Sequence, residues 1–234
     1  MDDPAFPMRI NKYLAWKKHS TRRGADDLIR SKKVFINGRP AVLGDQVQEK
    51  DHVEVRFTGK QKPYVYLAYN KPRGIVTHSP AENEKEILDQ VPLQGIFPIG
   101  RLDKDSHGLI ILTNDGRITD RLLSPEYSHE KEYVVKTKEK LRQSFKSKME
   151  AGVRIEREVT APAKVEIIND HTFKIILTEG KKHQIRRMCS ALFQEVADLE
   201  RIRVMNIKID GIKEGRYREI EGKELKNFLS LLGM

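Results

Sequence analysis

Phe97-Pro98-Ile99-Gly100-Arg101-Leu102-Asp103-Lys104-Asp105-Ser106-His107-Gly108-Leu109-Ile110-Ile111-Leu112-Thr113-Asn114-Asp115-Gly116 is the stretch on which the reading of this chain turns. An apolar strand on each side brackets a polar loop with a glycine near both ends. A loop pinned between two strands is a place where a scaffold presents catalytic side chains. This one offers Arg101, Asp103, Asp105, Ser106 and His107 in close succession. Taken alone, such a loop is more often a charged turn whose aspartates bond their own backbone. A hard-cation site on Asp103, Asp105, Asn114 and Asp115 fits less well. No Glu closes the loop as a calcium site requires, and Arg101 and Lys104 would repel a cation. His107, His129 and His183 are scattered and lack the spacing of zinc ligands. Ser106 beside His107 is not a triad, because triad partners converge in space and no nucleophile elbow is present.

Around this stretch, strands dominate the second part of the chain. Val65, Leu67 and Tyr69 alternate with Tyr64, Tyr66 and Ala68, and further strands are expected at 109–113, 131–137, 163–168, 172–178 and 202–209. Helical faces interrupt them: Leu141, Phe145 and Met149; Ile185, Met188, Cys189 and Leu192; and finally Leu225, Phe228, Leu229 and Leu232. Strands with helices inserted at irregular intervals imply an α+β domain on a mixed, largely antiparallel sheet. Thr178-Glu179-Gly180-Lys181-Lys182-His183-Gln184-Ile185-Arg186-Arg187-Met188 runs from a strand through a glycine turn into a helix. Arginines at such a helix start favour an anion. Tyr133 opens the 131–137 strand, as a core residue or as a surface on which a base could stack.

The polar run Thr58-Gly59-Lys60-Gln61-Lys62-Pro63 separates this domain from a small N-terminal unit. In that unit Ile10, Tyr13 and Leu14 form one helical face, and a second helix capped by Thr21 turns Ala25, Leu28 and Ile29 inward. Asn37-Gly38 signals a hairpin, and 51–55 alternates as a strand. Arg9, Lys12, Arg22, Arg23 and Arg30 remain for the surface, with Lys32 just beyond. Ten basic residues and two acidic ones, Asp26 and Asp27, lie between Arg9 and Arg39, in a chain whose net charge is +10. Such a concentration points to a polyanionic partner, since neutralising phosphates releases condensed counterions. A single cysteine, Cys189, excludes a disulfide framework and a thiolate metal cluster. No apolar run reaches the length of a membrane span, no signal peptide is visible at the N-terminus, and a reducing cytoplasm is the simplest location.

Taken together, these stretches resemble the RsuA/RluB/RluE/RluF family of ribosomal RNA pseudouridine synthases. Gly100-Arg101-Leu102-Asp103, followed by Gly108-Leu109 and Thr113-Asn114-Asp115-Gly116, is similar to the family's signature motif. Asn70-Lys71-Pro72-Arg73-Gly74 resembles its first motif, Glu132-Tyr133 its tyrosine motif, and Gln184-Ile185-Arg186-Arg187-Met188 its third. Asp198-Leu199-Glu200-Arg201 resembles the fourth. Residues 8–57 are similar to the alpha-L RNA-binding module first seen in a small-subunit ribosomal protein. The resemblance covers nearly the whole chain, with the RluF branch, which acts on large-subunit (23S) rRNA, the nearest. Ser106 stands where threonine is common, and Lys181-Lys182-His183 replaces an Arg-Asn-Arg-like run.

The resemblance implies an α-L module over residues 1–57, a linker over 58–63 and a synthase domain over 64–234. It implies isomerisation of a uridine, with Asp103 acting at the sugar, either at C1′ or on the 2′ proton. Arg186 would pair with Asp103, Tyr133 would stack on the target base and Leu199 would pack its other side. Arg101, Asn70, Lys71 and Arg187 would complete the substrate contacts, while Arg9, Lys12, Arg22, Arg23, Arg30 and Lys32 would dock RNA. No cofactor and no metal is expected, because the isomerisation is redox-neutral and conserves atoms. The expected partner is ribosomal RNA, met by a monomer that needs no protein partner. A non-catalytic rRNA-binding or ribosome-assembly protein on the same fold is the alternative.

Overall fold

The computed structural model describes residues 6–17, 22–56, 63–91 and 93–234, and the chain divides into two compact units, Met1–Tyr64 and Val65–Met234. The 58–63 linker expected from the sequence, and the Thr21 cap, fall on or largely within residues outside those described.

The first unit comprises β1 (Met8–Arg9), α1 (Ile10–Trp16), α2 (Arg22–Arg30), β2 (Val34–Ile36), β3 (Arg39–Pro40), β4 (Gln46–Val47) and β5 (Val53–Val55). Ile10 and Leu14 on α1 and Ala25 and Ile29 on α2 are the apolar positions of the two helices, and they are buried against Val34, Ile36 and Val47. The β2–β3 hairpin turns at Asn37 and Gly38, both with positive φ, which is the backbone that two-residue hairpins require.

The second unit is built on one nine-stranded sheet. Its strands are β6 (Tyr66–Lys71), β7 (Phe97–Ile99), β8 (His107–Thr113), β9 (Lys131–Thr137), β12 (Lys164–Asn169), β13 (Thr172–Leu177), β14 (Val196–Val204), β15 (Ile207–Lys208) and β16 (Tyr217–Glu219). A small hairpin, β10 (Arg154–Ile155) with β11 (Glu158–Val159), stands apart from it. The helices are α3 (Ile118–Leu123), α4 (Phe145–Glu150), α5 (Gln184–Ala191) and α6 (Gly222–Leu231).

The sheet order is β12-β13-β9-β14-β8-β6-β16, with β7 on β8 and β15 on β14. Every pairing in it is antiparallel except β8 with β14. That parallel seam joins two antiparallel halves, so the mixed sheet anticipated from the sequence is the observed one. The continuous apolar run of β8 reflects burial on both faces. Leu109 and Ile111 enter a core with α3 and α6, and Ile110 and Leu112 enter the opposite core with Leu67, Tyr69 and Leu102. At the seam, Gly108 (φ +105) lies so close to β14 that a Cβ there would stand 2.4 Å from the Arg201 carbonyl oxygen.

Two expected elements are drawn differently. The 202–209 strand is really the end of β14, a turn at Met205 (φ 52) and Asn206, and the short β15. The helix expected across Leu141 to Met149 begins only at Phe145, because Leu141 packs as part of the preceding loop.

Thr113-Asn114-Asp115-Gly116 serves this scaffold. The Asp115 side chain is fully buried, accepts the Tyr66 hydroxyl at 2.5 Å and takes both Nε and Nη2 of Arg117 at 2.8 Å. Asn114 Oδ1 accepts the Val65 N–H, and Thr113 Oγ1 donates to the Val65 carbonyl. The motif therefore locks the start of β6 to the end of β8. Burial would push the Asp115 carboxyl up, but the Arg117 and Tyr66 contacts outweigh it and hold the group below its ordinary range.

Candidate active site

A cavity of about 570 Å³ opens beside the parallel seam, and Arg101, Asp103, Tyr133, Leu199 and Arg201 line it, as do Lys131 and His183. The register explains the convergence. In β9, Lys131, Tyr133 and Val135 share one face, and Tyr133 lies opposite Arg201, with Val135 opposite Leu199 on β14. Residues paired directly across two strands present their side chains to the same side of the sheet. Tyr133 and Leu199 thus share a wall, and the loop entering β8 brings Asp103 to it.

The loop is held by its backbone. The Thr77 hydroxyl donates to the Leu102 carbonyl at 2.7 Å and accepts the Leu102 N–H at 3.0 Å. Gly74 N–H donates to the Lys104 carbonyl, Arg201 Nη1 to the Arg101 carbonyl and Arg186 Nη2 to the Asp105 carbonyl. Four residues from three stretches of chain therefore grip the peptide groups around Asp103 while leaving its carboxylate to the cavity. That carboxylate is 36% exposed, and its one ion-pair contact among the described residues is His183 Nε2 at 3.4 Å. A carboxylate with open lone pairs on an immobilised loop can act as nucleophile or base.

Arg186 is where geometry corrects the sequence. Instead of pairing with Asp103, it donates to the Asp105 carbonyl at 3.1 Å, to Ser106 Oγ at 3.3 Å and to the Val196 carbonyl at 3.4 Å. Its charge is used to pin the loop, because the start of α5 places His183, not Arg186, next to the carboxylate.

Asn70 and Lys71 also depart from expectation, since neither lines the cavity. Asn70 donates to the Ile212 carbonyl, and Lys71, fully buried, donates to the Pro72 and Ile75 carbonyls at 2.8 and 2.6 Å. They fold the first motif into the shape that braces the Asp103 loop. Burial pushes the Lys71 ammonium down to about 8, with Asp103 acting in the opposite sense. Arg187 likewise lies off the cavity and pairs with Glu156 at 2.9 Å.

In the first unit, Arg9, Lys12, Arg30 and Lys32 are exposed, with Arg30 near Asp27 at 3.4 Å. Arg22 and Arg23 begin α2, but their side chains lie outside the described residues.

This arrangement meets known proteins at every level. Residues 65–191 match the family model described as RNA pseudouridylate synthase, and residues 8–53 match the S4 domain. The chain belongs to the RNA pseudouridylate synthases. The synthase is 39% identical over 98% of its length to the dual-specificity RNA pseudouridine synthase RluF of Escherichia coli K12, of which it covers 81%. It is 33% identical to the ribosomal large subunit pseudouridine synthase B of Bacillus subtilis, with 95% of this chain and 96% of that protein aligned. A crystal structure of a pseudouridylate synthase superposes with a TM-score of 0.71 at 28% identity, covering 96% of the synthase and 99% of that chain. The RluF-like sequence family read from five motifs is thereby the right one.

Two residues of the synthase site received no role in the motif reading, although Arg201 lies inside the fourth motif. Lys131 and Arg201 both line the cavity, and Arg201 is 4% exposed. The signal available in the sequence was parity: Lys131 is two residues from Tyr133, and Arg201 two from Leu199. Only the pairing of β9 with β14 puts all four on one face.

Proposed function

We propose that the synthase isomerises a specific uridine of ribosomal RNA to pseudouridine, in the large-subunit (23S) molecule, with Asp103 as the catalytic carboxylate. The observation that carries this reading is the placement of Asp103. Its loop is gripped at successive carbonyls, its oxygens face the cavity, and Tyr133 and Leu199 stand on the adjoining wall. A uridine must leave its stack to reach such a cavity, and packing against an aromatic ring offsets part of the unstacking cost. Tyr133 supplies that ring, and Leu199 extends the apolar surface beside it on the same wall. Asp103 acts at C1′ or on the 2′ proton, the N1–C1′ bond breaks, and the uracil rejoins through C5. Arg101, exposed at the rim, holds substrate phosphate, and Arg186 acts as a positioning residue through the loop.

The large-subunit target draws support from the name of the Bacillus subtilis relative. In this reading residues 1–57 are an RNA-docking module, 58–63 a linker and 64–234 the catalytic domain. Arg9, Lys12, Arg22, Arg23, Arg30 and Lys32 contact phosphates. The protein works as a cytoplasmic monomer without a cofactor. No helix among the described residues is long and apolar enough to cross a membrane.

The test is tritium release from large-subunit rRNA transcripts labelled at uridine C5, since C5 must lose its hydrogen when it bonds to C1′. The wild type releases tritium from one site, and Asp103→Asn does not. Release by both proteins would remove Asp103 from the chemistry. No release by the wild type from large-subunit RNA, with release from small-subunit RNA, would move the target.

A further inference from the structure

Lys131 and Arg201 form a cationic wall that the fold itself does not explain. Neither has an ion-pair partner among the described residues. Arg203, also on β14, is held by Glu132 at 2.7 Å and Glu130 at 3.0 Å. Arg201 instead uses Nε for the Leu109 carbonyl and Nη1 for the Arg101 carbonyl, and Nη2 makes no hydrogen bond among the described residues. Lys131 Nζ has only the His129 carbonyl, at 3.2 Å. Burial pushes the Lys131 ammonium down, and the positive charge of Arg201 pushes it further the same way. A desolvated cation beside a second cation is costly unless an anion arrives to offset it.

The position of this wall says which anion. Lys131 and Tyr133 are alternate residues on one face of β9, and Arg201 is the cross-strand partner of Tyr133. A pyrimidine stacked on Tyr133 therefore has the two cations along the same face of the sheet, while Asp103 approaches from the loop. When N1–C1′ breaks, its electron pair leaves with N1, and the uracil becomes a monoanion whose charge spreads onto O2 and O4. That charge disappears when C5 bonds to C1′, the C1′ electrophile taking up the electron pair; the C5 hydrogen then departs as a proton while N1 gains one. Preorganised cations in a water-poor site stabilise charge that develops in the transition state without reorganising to do so.

We propose that Lys131, backed by Arg201, is a catalytic residue that takes the negative charge of the departing uracil at its carbonyl oxygens. The inference rests on the reading of the cavity as the uridine site. It assigns the leaving-group half of the reaction, as Asp103 serves the sugar half.

Single-turnover rates and RNA affinities of wild type, Lys131→Met and Lys131→Arg separate the possibilities, with large-subunit rRNA transcripts carrying either uridine or 5-fluorouridine. Fluorine withdraws electrons, so 5-fluorouracil leaves as a more stable anion and needs less help. The rate is read in both cases as loss of the N-glycosidic nucleoside at the modified site, after digestion and chromatography. Lys131→Met is expected to slow the uridine substrate on the order of 100-fold and the fluorinated one much less, with RNA affinity little changed. Lys131→Arg restores most of the rate. Equal losses on both substrates overturn the proposal, as does weaker RNA binding with an unchanged single-turnover rate, which would make Lys131 a phosphate contact. Thermal melting checks that Lys131→Met is folded, and Arg201→Lys repeats the comparison with the charge kept. Inactivity of the wild type on every rRNA transcript would overturn the uridine-site reading and this inference with it. An active wild type with indifferent variants overturns the inference alone.

Discussion

Asp103 and Asp115 come from one short stretch of sequence and are chemically identical, yet the structure treats them in opposite ways. Asp115 is fully buried, with both oxygens saturated by Arg117 and Tyr66. Asp103 sits on a loop held through its backbone carbonyls while its carboxylate is left open to the cavity, with His183 its one ion-pair contact among the described residues. In one case the hydrogen bonds are spent on the side chain, and in the other on the backbone that carries it. A carboxylate that finishes its bonding inside the protein stabilises the fold; one kept from doing so is available to a substrate.

The comparison breaks most visibly at Asp103. Asp103→Asn is expected to lower single-turnover isomerisation on the order of 10⁴-fold or more, as loss of a nucleophile does. Its unfolding free energy should stay within about 0.5 kcal/mol of wild type, as for substitutions away from buried networks. Tritium release and urea denaturation together measure both.

Asp115→Asn should do the reverse. Replacing the buried carboxylate weakens its bonds to the half-exposed Arg117 and to the Tyr66 hydroxyl and costs about 2 kcal/mol, read as a lower urea midpoint, while the folded enzyme keeps its chemistry. The same pair carries an acid signature. A carboxyl held below its ordinary value in the folded state stabilises the fold at every pH above its unfolded value. That stabilisation fades as pH falls from about 3.8 through the folded value. Urea midpoints between pH 5 and pH 2 should therefore converge for wild type and Asp115→Asn; parallel lines would show that Asp115 does not titrate with folding.

Arg186→Met sharpens the contrast at the next level down. Because Arg186 bonds the loop and not the carboxylate, the loss should be about 10- to 100-fold, the scale of a second-layer partner, with a greater effect on rate than on RNA affinity. A loss as large as that of Asp103→Asn would mean that Arg186 reaches Asp103 during the reaction.

The smallest effect is expected far from both aspartates. Arg22→Ala with Arg23→Ala should weaken RNA binding and reduce the slope of log affinity against log salt by about 0.7 to 0.9 per lost phosphate contact. The isomerisation rate at saturating RNA should not change.

Much of this molecule could be read from residue order, for physical reasons that differ from place to place. The strand at 172–178 was legible because one buried face imposes alternation, here Phe173, Ile175 and Leu177, and the hairpin at Asn37-Gly38 because few residues accept positive φ. The loop at Asp103 announced itself as polar residues between two apolar runs. The role of Arg186 was not legible, since a motif shows that an arginine is present and not which acceptor it reaches. Asn70 and Lys71 were expected to contact substrate; their partners are backbone carbonyls, which have no signature in sequence. Lys131 and Arg201 were hidden for a related reason. Their common face depends on the β9–β14 register, and that register contains two irregularities, between Val196 and Asp198 and between Arg201 and Arg203.

Gly108 ties these threads together. It is the residue at which β8 meets β14 in parallel, with no room for a Cβ against the Arg201 backbone. A methyl group there would push apart the strand that follows Asp103 and the strand that bears Leu199 and Arg201. For a geneticist this is a handle: Gly108→Ala should behave as a conditional allele, modifying RNA in cells grown cold and failing in cells grown warm, with every catalytic side chain still encoded.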